Sequence, residues 1–179
     1  DNECNIEIML ATHADMNANL WNEGALRFRA DRMTHGESRA VTIIDVDGDG
    51  WNDIFFTRTV SAPTYWHNLG DGTFAQEFLP NIGEPLYSIA WADLDDDGDL
   101  DLVGATYDAA LLDAFGQEFL LGTGGGVYYY ENVEGVFQPK RLTYQAQALT
   151  LILVDINHDQ RLDIVVGHDF AVPAFSWLR

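Results

Sequence analysis

Oxygen-bearing side chains recur at positions 1, 3, 5 and 9 of three short acidic stretches: Asp45, Asp47, Asp49 and Asp53; Asp93, Asp95, Asp97 and Asp101; and Asp155, Asn157, Asp159 and Asp163. Alternate residues of a tight turn can point toward a common centre, and a hard cation such as calcium takes about 6–8 oxygen ligands at roughly 2.3–2.6 Å. Each stretch therefore reads as a calcium loop. Asp and Gly also gather in ordinary hairpin turns, but three such loops in register, each crowding four oxygen side chains, would repel strongly without a counter-ion. The third loop carries Gln160 where the others carry Gly50 and Gly98. Glycine takes the left-handed conformation of a sharp loop most cheaply, so the third site is expected to bind more weakly.

The elements that must position these oxygens are strands. A helix–loop–helix calcium site needs a bidentate Glu at position 12, and that position holds Phe56, Gly104 and Val166. The residues that follow each loop, 54–57, 102–105 and 164–167, are short, apolar and mostly β-prone, as are the approaches 40–44, 88–92 and 149–154. Such runs bounded by turn residues suit buried strands. The unit is strand, loop, strand.

A larger repeat surrounds it. An aromatic strand ends near Asn and is followed by Gly and Phe: Tyr65, Trp66, His67, Asn68, Gly70, Gly72 and Phe74; Tyr128, Tyr129, Tyr130, Asn132, Gly135 and Phe137; and Trp21, Asn22, Gly24 and Phe28. Aligning Asn5 with Asp53 puts Asp1 at loop position 5, Glu3 at position 7 and Asn5 at position 9, so the chain starts within a loop. Residues 175–179 align with the aromatic strand. A period of about 48 residues with four short strands per unit falls beside the roughly 40–50-residue blades of propeller repeats. The expected fold class is all-β: propeller blades of about four antiparallel strands, forming an incomplete segment of a larger propeller of about seven blades. The expected organisation is a partial blade at 1–34, a blade at 35–82, a blade at 83–144 with an insertion at about 108–126, and a partial blade at 145–179. A four-bladed ring closed by its own ends is the alternative.

The acidic loop followed by Ile or Leu, the aromatic strand, and the run Asn68, Gly70, Asp71, Gly72, Thr73 and Phe74 resemble the FG-GAP/VCBS repeats of integrin-α-like β-propellers over nearly the whole chain. The resemblance implies calcium ligation by the twelve loop side chains named above, completed by the backbone carbonyls of Trp51, Asp99 and Arg161. Asn22, Asn68 and Asn132 match the repeat outside the metal loop and read as turn formers.

With 29 acidic and 9 basic residues the formal charge is −20, and Lys140 is the single lysine. Nucleic acid is an unsuitable partner, because phosphate binding needs a basic face. No run approaches the roughly 18 consecutive apolar residues of a membrane span. Cys4 cannot form an internal disulfide. Weak calcium sites stay filled where calcium is abundant, which places the expected setting outside the cytosol, extracellular or periplasmic.

No chemistry beyond the loops stands out. His13, His35, His67, His158 and His168 form no zinc-spaced cluster and read as structural or surface residues. No nucleophile signature occurs, and acid pairs such as Asp95 and Asp97, which could serve a glycosidase, are already explained as ligands. The chain is therefore read as not an enzyme. The glycines from Gly122 to Gly126 lack the Lys-Ser/Thr of a phosphate loop; they close an insertion whose Leu111, Leu112, Phe115, Phe119, Leu120 and Leu121 are first candidates for a partner contact. The expected function is a calcium-binding module for protein interaction, adhesion or complex assembly, its partner another protein or the rest of the propeller. Two alternatives stand beside it: a lectin using Trp66, Tyr128, Tyr129, Tyr130 and Trp177, or the non-catalytic propeller of a polysaccharide-acting enzyme.

Overall fold

Period-2 alternation and short apolar runs yield strands throughout the chain. A computed structural model describes residues 6–13, 15–25, 27–107, 125–144, 148–168 and 175–178. The expected half-loop at Asp1, Glu3 and Asn5, Cys4, and the apolar residues of the insertion lie outside these residues, as do the side chains of His35 and Trp177.

The described residues form an all-β structure of antiparallel meanders. The first sheet holds β1 (Ile8–Leu10), β2 (Met16–Asn22) and β3 (Phe28–His35). The second holds β4 (Val41–Ile44), β5 (Asp53–Phe56), β6 (Thr64–Asn68) and β7 (Phe74–Glu77). The third holds β8 (Ser88–Ala92), β9 (Asp101–Ala105), β10 (Val127–Val133) and β11 (Val136–Thr143). The fourth holds β12 (Ala148–Val154), β13 (Asp163–His168) and β14 (Phe175–Leu178). Within each sheet every strand pairs with the next in sequence, giving propeller-like blades, and among the described residues these sheets are not closed. Among the described residues, no helix is long and apolar enough to cross a membrane.

The third sheet is buried on both faces along β9 and much of β10, which is why β9 reads as a nearly continuous apolar run, whereas β11 is largely exposed. Leu102, Tyr128 and Tyr130 point to one face and pack with Phe55, Tyr65 and Val46 of the second sheet and its loop. Their neighbours Val103, Ala105 and Val127 point to the other face and pack with Ala148, Leu151, Ile164 and Val166 of the fourth sheet. Successive strand residues face opposite sides, so one sheet supplies two cores. Tyr128 and Tyr130, named above for sugar stacking, are buried in the first of these.

The register corrects the alignment of the first repeat. Asn68 Nδ2 donates to Asn52 O at 2.9 Å, Asn132 Nδ2 to Leu100 O at 3.2 Å and Asn22 Nδ2 to Ile6 O at 3.2 Å. Ile8 pairs with Leu20 as Ile54 pairs with Trp66 and Leu102 with Tyr130. Glu7, not Asn5, therefore holds the place of Asp53 and Asp101. A slip of two residues keeps every side chain on its own face, so the hydrophobic pattern could not expose it.

Gly104 of β9 is closely approached by the segment before β8, since a Cβ there would lie 2.8 Å from both methyl groups of Leu86, which is itself fully buried. Gly104→Ala is expected to destabilise the protein by about 1–3 kcal/mol through overpacking. Urea unfolding measures this directly, and an unchanged midpoint would contradict the packing described.

Candidate metal centre

The loops join β4 to β5, β8 to β9 and β12 to β13, and closely similar sets of side chain to backbone bonds shape all three. Position 1 accepts through both oxygens: Asp45 from Gly48 N and Gly50 N at 2.9 Å each, Asp93 from Asp97 N at 3.1 Å and Gly98 N at 3.0 Å, and Asp155 from Asp159 N at 3.1 Å and Gln160 N at 2.9 Å. Position 5 accepts from the amide of position 7: Asp49 from Trp51, Asp97 from Asp99, and Asp159 from Arg161. In the first and third loops, Asp47 and Asn157 at position 3 accept from the amide of position 5.

Positions 4 and 6 are left-handed in every loop: Gly48 and Gly50 at φ 74° and 91°, Asp96 and Gly98 at 63° and 97°, His158 and Gln160 at 62° and 69°. The third loop thus holds two side-chain-bearing residues in a conformation that costs roughly 1–2 kcal/mol each outside glycine, less for Asn and Asp. Only the strain at Gln160 was visible in its residue type.

Position 9 opens the second strand of each pair and is buried. Asp53 accepts from Val46 N at 3.1 Å, from the Tyr65 hydroxyl at 3.0 Å and from Asn68 N at 2.8 Å. Asp101 repeats this with Leu94 N at 3.0 Å, the Tyr129 hydroxyl at 3.0 Å and Asn132 N at 2.8 Å. Asp163 accepts from Ile156 N at 3.0 Å. Burial and the adjoining carboxylates hold the Tyr65 and Tyr129 hydroxyls well above the usual phenol range, so both remain donors. In the first sheet Asn19 stands where these tyrosines stand. Glu7 Oε1 is buried with no hydrogen-bond partner among the described residues, beside a cleft of about 720 Å³.

The remaining carboxylates converge. One oxygen each from Asp45, Asp47 and Asp53 lies within 4.8 Å of the others, as do those of Asp93, Asp95 and Asp97. In the third loop Asn157 replaces a carboxylate, and no equivalent group of three forms. Desolvation, then the charges of Asp49 and Asp53, raises the Asp47 carboxyl above its ordinary value. Desolvation and the charges of Asp101 and Asp97 do the same to Asp95. These residues have the oxygen chemistry and crowding that a divalent cation requires.

Three placements were missed from sequence. Asp99, singled out for its carbonyl, has its side-chain Oδ1 shut off from solvent. It lines a cleft of about 600 Å³ that it shares with Asp45 and Asp47 of the preceding loop. Trp51 packs its indole over Gly70, where a Cβ would come within 2.8 Å of Nε1. His67 turns toward the first loop, with Nε2 3.1 Å from Asp47 Oδ2 and 3.6 Å from Asp49 Oδ2, and Nδ1 3.4 Å from Glu77 Oε1. Desolvation alone would lower its pKa, but Glu77, Asp47, Asp49 and Asp53 together raise it. His158 is exposed in the third loop. Asn22, Asn68 and Asn132 each cap their own turn through Oδ1, accepting from Gly24, Gly70 and Gly135.

Residues 45–104, which contain the first two loops, match the FG-GAP-like repeat. No curated protein matches the chain significantly.

Desolvation, then the charges of Asp97 and Asp101, pushes the Asp99 carboxyl up from 3.8 to about 6. The folded state therefore holds this proton more tightly than the unfolded chain. The stability linked to Asp99 is complete in acid and is lost as pH rises from about 4 to about 6. An NMR titration of the ion-free protein is expected to place its midpoint near 6, and Asp99→Asn to remove that share of the pH dependence; a midpoint near 4 would contradict the desolvated environment.

Proposed function

We propose that this chain is a calcium-stabilised propeller module that acts in protein interaction or assembly outside the cytosol. In this reading the first ion takes Asp45, Asp47, Asp49 and Asp53 with the Trp51 carbonyl. The second takes Asp93, Asp95, Asp97 and Asp101 with the Asp99 carbonyl. The third takes Asp155, Asn157, Asp159 and Asp163 with the Arg161 carbonyl, more weakly because Asn157 carries no charge and His158 and Gln160 are strained.

The observation that carries the reading is the grouping of three carboxylates in each of the first two loops. Among the described residues, no lysine or arginine forms an ion pair with them. Like charges this close repel in the folded state, and a divalent ion converts that repulsion into attraction. The match of residues 45–104 to the FG-GAP-like repeat supports the same assignment. Each ion would draw in oxygens whose other lone pairs already hold the loop backbone, so binding would stiffen the turn between two strands and stabilise the fold by linkage. A module rigid in this way presents its inter-strand turns as a fixed surface, and the reading assigns those turns to partner recognition.

With free calcium 100-fold above Kd, each site contributes about 2.7 kcal/mol. A chain of this length shifts by about 2–4 °C per kcal/mol. Chelation is therefore expected to lower Tm by about 5–10 °C for each site emptied. Calorimetric titration should find one fewer calcium in Asp45→Ala, one fewer in Asp93→Ala and two fewer in the double variant; a melt unchanged by excess EDTA would overturn the proposal.

A further inference from the structure

The first loop has a neighbour that the second lacks. Counting back from the asparagine that caps each turn, His67 precedes Asn68 where Glu131 precedes Asn132. We propose that Asp47, Asp49 and His67 form a mixed nitrogen–oxygen site for a zinc-class divalent ion on the rim of the first loop, with Glu77 supporting the imidazole from behind. The proposal deepens the reading of that loop as a cation site, and it is tested without calcium.

The ligand atoms converge from separate elements. Asp47 and Asp49 come from the loop, His67 from β6, and one atom from each lies within 4.8 Å of the other two. Zinc bound tetrahedrally by nitrogen and oxygen at about 2.1 Å sets neighbouring ligand atoms roughly 3.4 Å apart. The distances from His67 Nε2 to Asp47 Oδ2 and Asp49 Oδ2, 3.1 and 3.6 Å, bracket that edge.

Nε2 itself is closed to solvent, and the groups that face it are the carboxylates of Asp47 and Asp49. On the opposite side of the ring, Nδ1 lies 3.4 Å from Glu77 Oε1 on β7. A carboxylate behind the imidazole is the usual second partner of a metal-bound histidine: it accepts a hydrogen bond from Nδ1–H, which fixes the tautomer with the Nε2 lone pair facing the ion. The ring is also held in place, stacked on Tyr65 at 6.2 Å between centroids and 9° between planes. Tyr65 is fixed in turn by its bond to Asp53.

Ligand softness then separates the loops. Imidazole suits zinc and its neighbours, whereas sites of carboxylate and carbonyl oxygen suit calcium. The second loop, with Glu131 at the corresponding place, stays all-oxygen. Asp47 belongs both to the rim group and to the group it forms with Asp45 and Asp53, so zinc on the rim competes with calcium in the first loop and not in the second.

The test is calorimetric titration of the chelator-stripped chain with zinc alone, alongside His67→Gln and Glu77→Gln, and a nitrogen-15 NMR titration of the histidine rings in the unaltered protein. His67→Gln is expected to weaken zinc binding by tenfold or more and Glu77→Gln by about tenfold, while calcium binding to His67→Gln changes less than about twofold because the oxygen ligands remain. Zinc should also move the Nε2 resonance of His67. Equal zinc affinity in the unaltered chain and His67→Gln, or a His67 resonance that zinc leaves in place, would reduce the cluster to an ion pair and overturn the proposal. Should either variant fail to fold, the NMR titration decides alone. Failure of the calcium reading would appear separately, as absent calcium heat with the zinc result intact.

Discussion

A buried carboxylate at the first residue of a strand is the constraint around which each repeat is organised. Removing an ionised group from water costs several kcal/mol unless donors replace the lost hydration. Asp53 and Asp101 each receive three: a loop amide, a tyrosine hydroxyl and the amide of a turn-forming asparagine. The donors come from the loop before the strand and from the strand after it. Satisfying one charge therefore sets the loop path and the strand register together, and the acidic loop cannot change shape without disturbing its blade.

That arrangement also explains why the outer carboxylates are left exposed to one another. In the first loop positions 1, 3 and 5 each accept from loop amides, and carboxylate oxygens still gather at positions 1, 3 and 9 there and at positions 1, 3 and 5 in the second loop. Buried apolar faces can hold adjacent sheets together without help, as Phe55, Leu102 and Tyr130 do on one side of the third sheet and Val103, Val127 and Val166 on the other. They cannot relieve charge repulsion at the blade ends. In the proposed reading a divalent ion would answer that specific deficit, and in the first loop His67 would offer a second way of meeting it.

Much of the strand and loop pattern was legible in the residues. Apolar runs flanking each acidic stretch became β4 and β5, β8 and β9, and β12 and β13, and the aromatic segments became β2, β6, β10 and β14. What escaped has definable causes. The slip from Asn5 to Glu7 preserves the alternation of faces, so it surfaces in the pairing of Ile8 with Leu20 and in the bond from Asn22 to Ile6. His67 looked like one more aromatic-strand residue because its neighbours in space lie across a loop and on the next strand. Its alignment with Glu131, both one residue before the turn asparagine, was the available signal. Asp99 was visible only as a loop position, since its desolvation depends on the packing of two successive blades.

The account rests on cations holding these loops in one geometry, and hydrogen exchange reads that geometry residue by residue. The amides of Gly50, Gly98 and Gln160 each donate to the position 1 carboxylate that begins the loop. Comparing their exchange in calcium and in EDTA is the most direct measurement. The account predicts marked slowing in calcium at Gly50 and Gly98, a smaller effect at Gln160, and propagation to the loop amides of Val46 and Leu94 that bond the buried carboxylates. Identical exchange in the two conditions would mean that the loops are complete without an ion, and would contradict it.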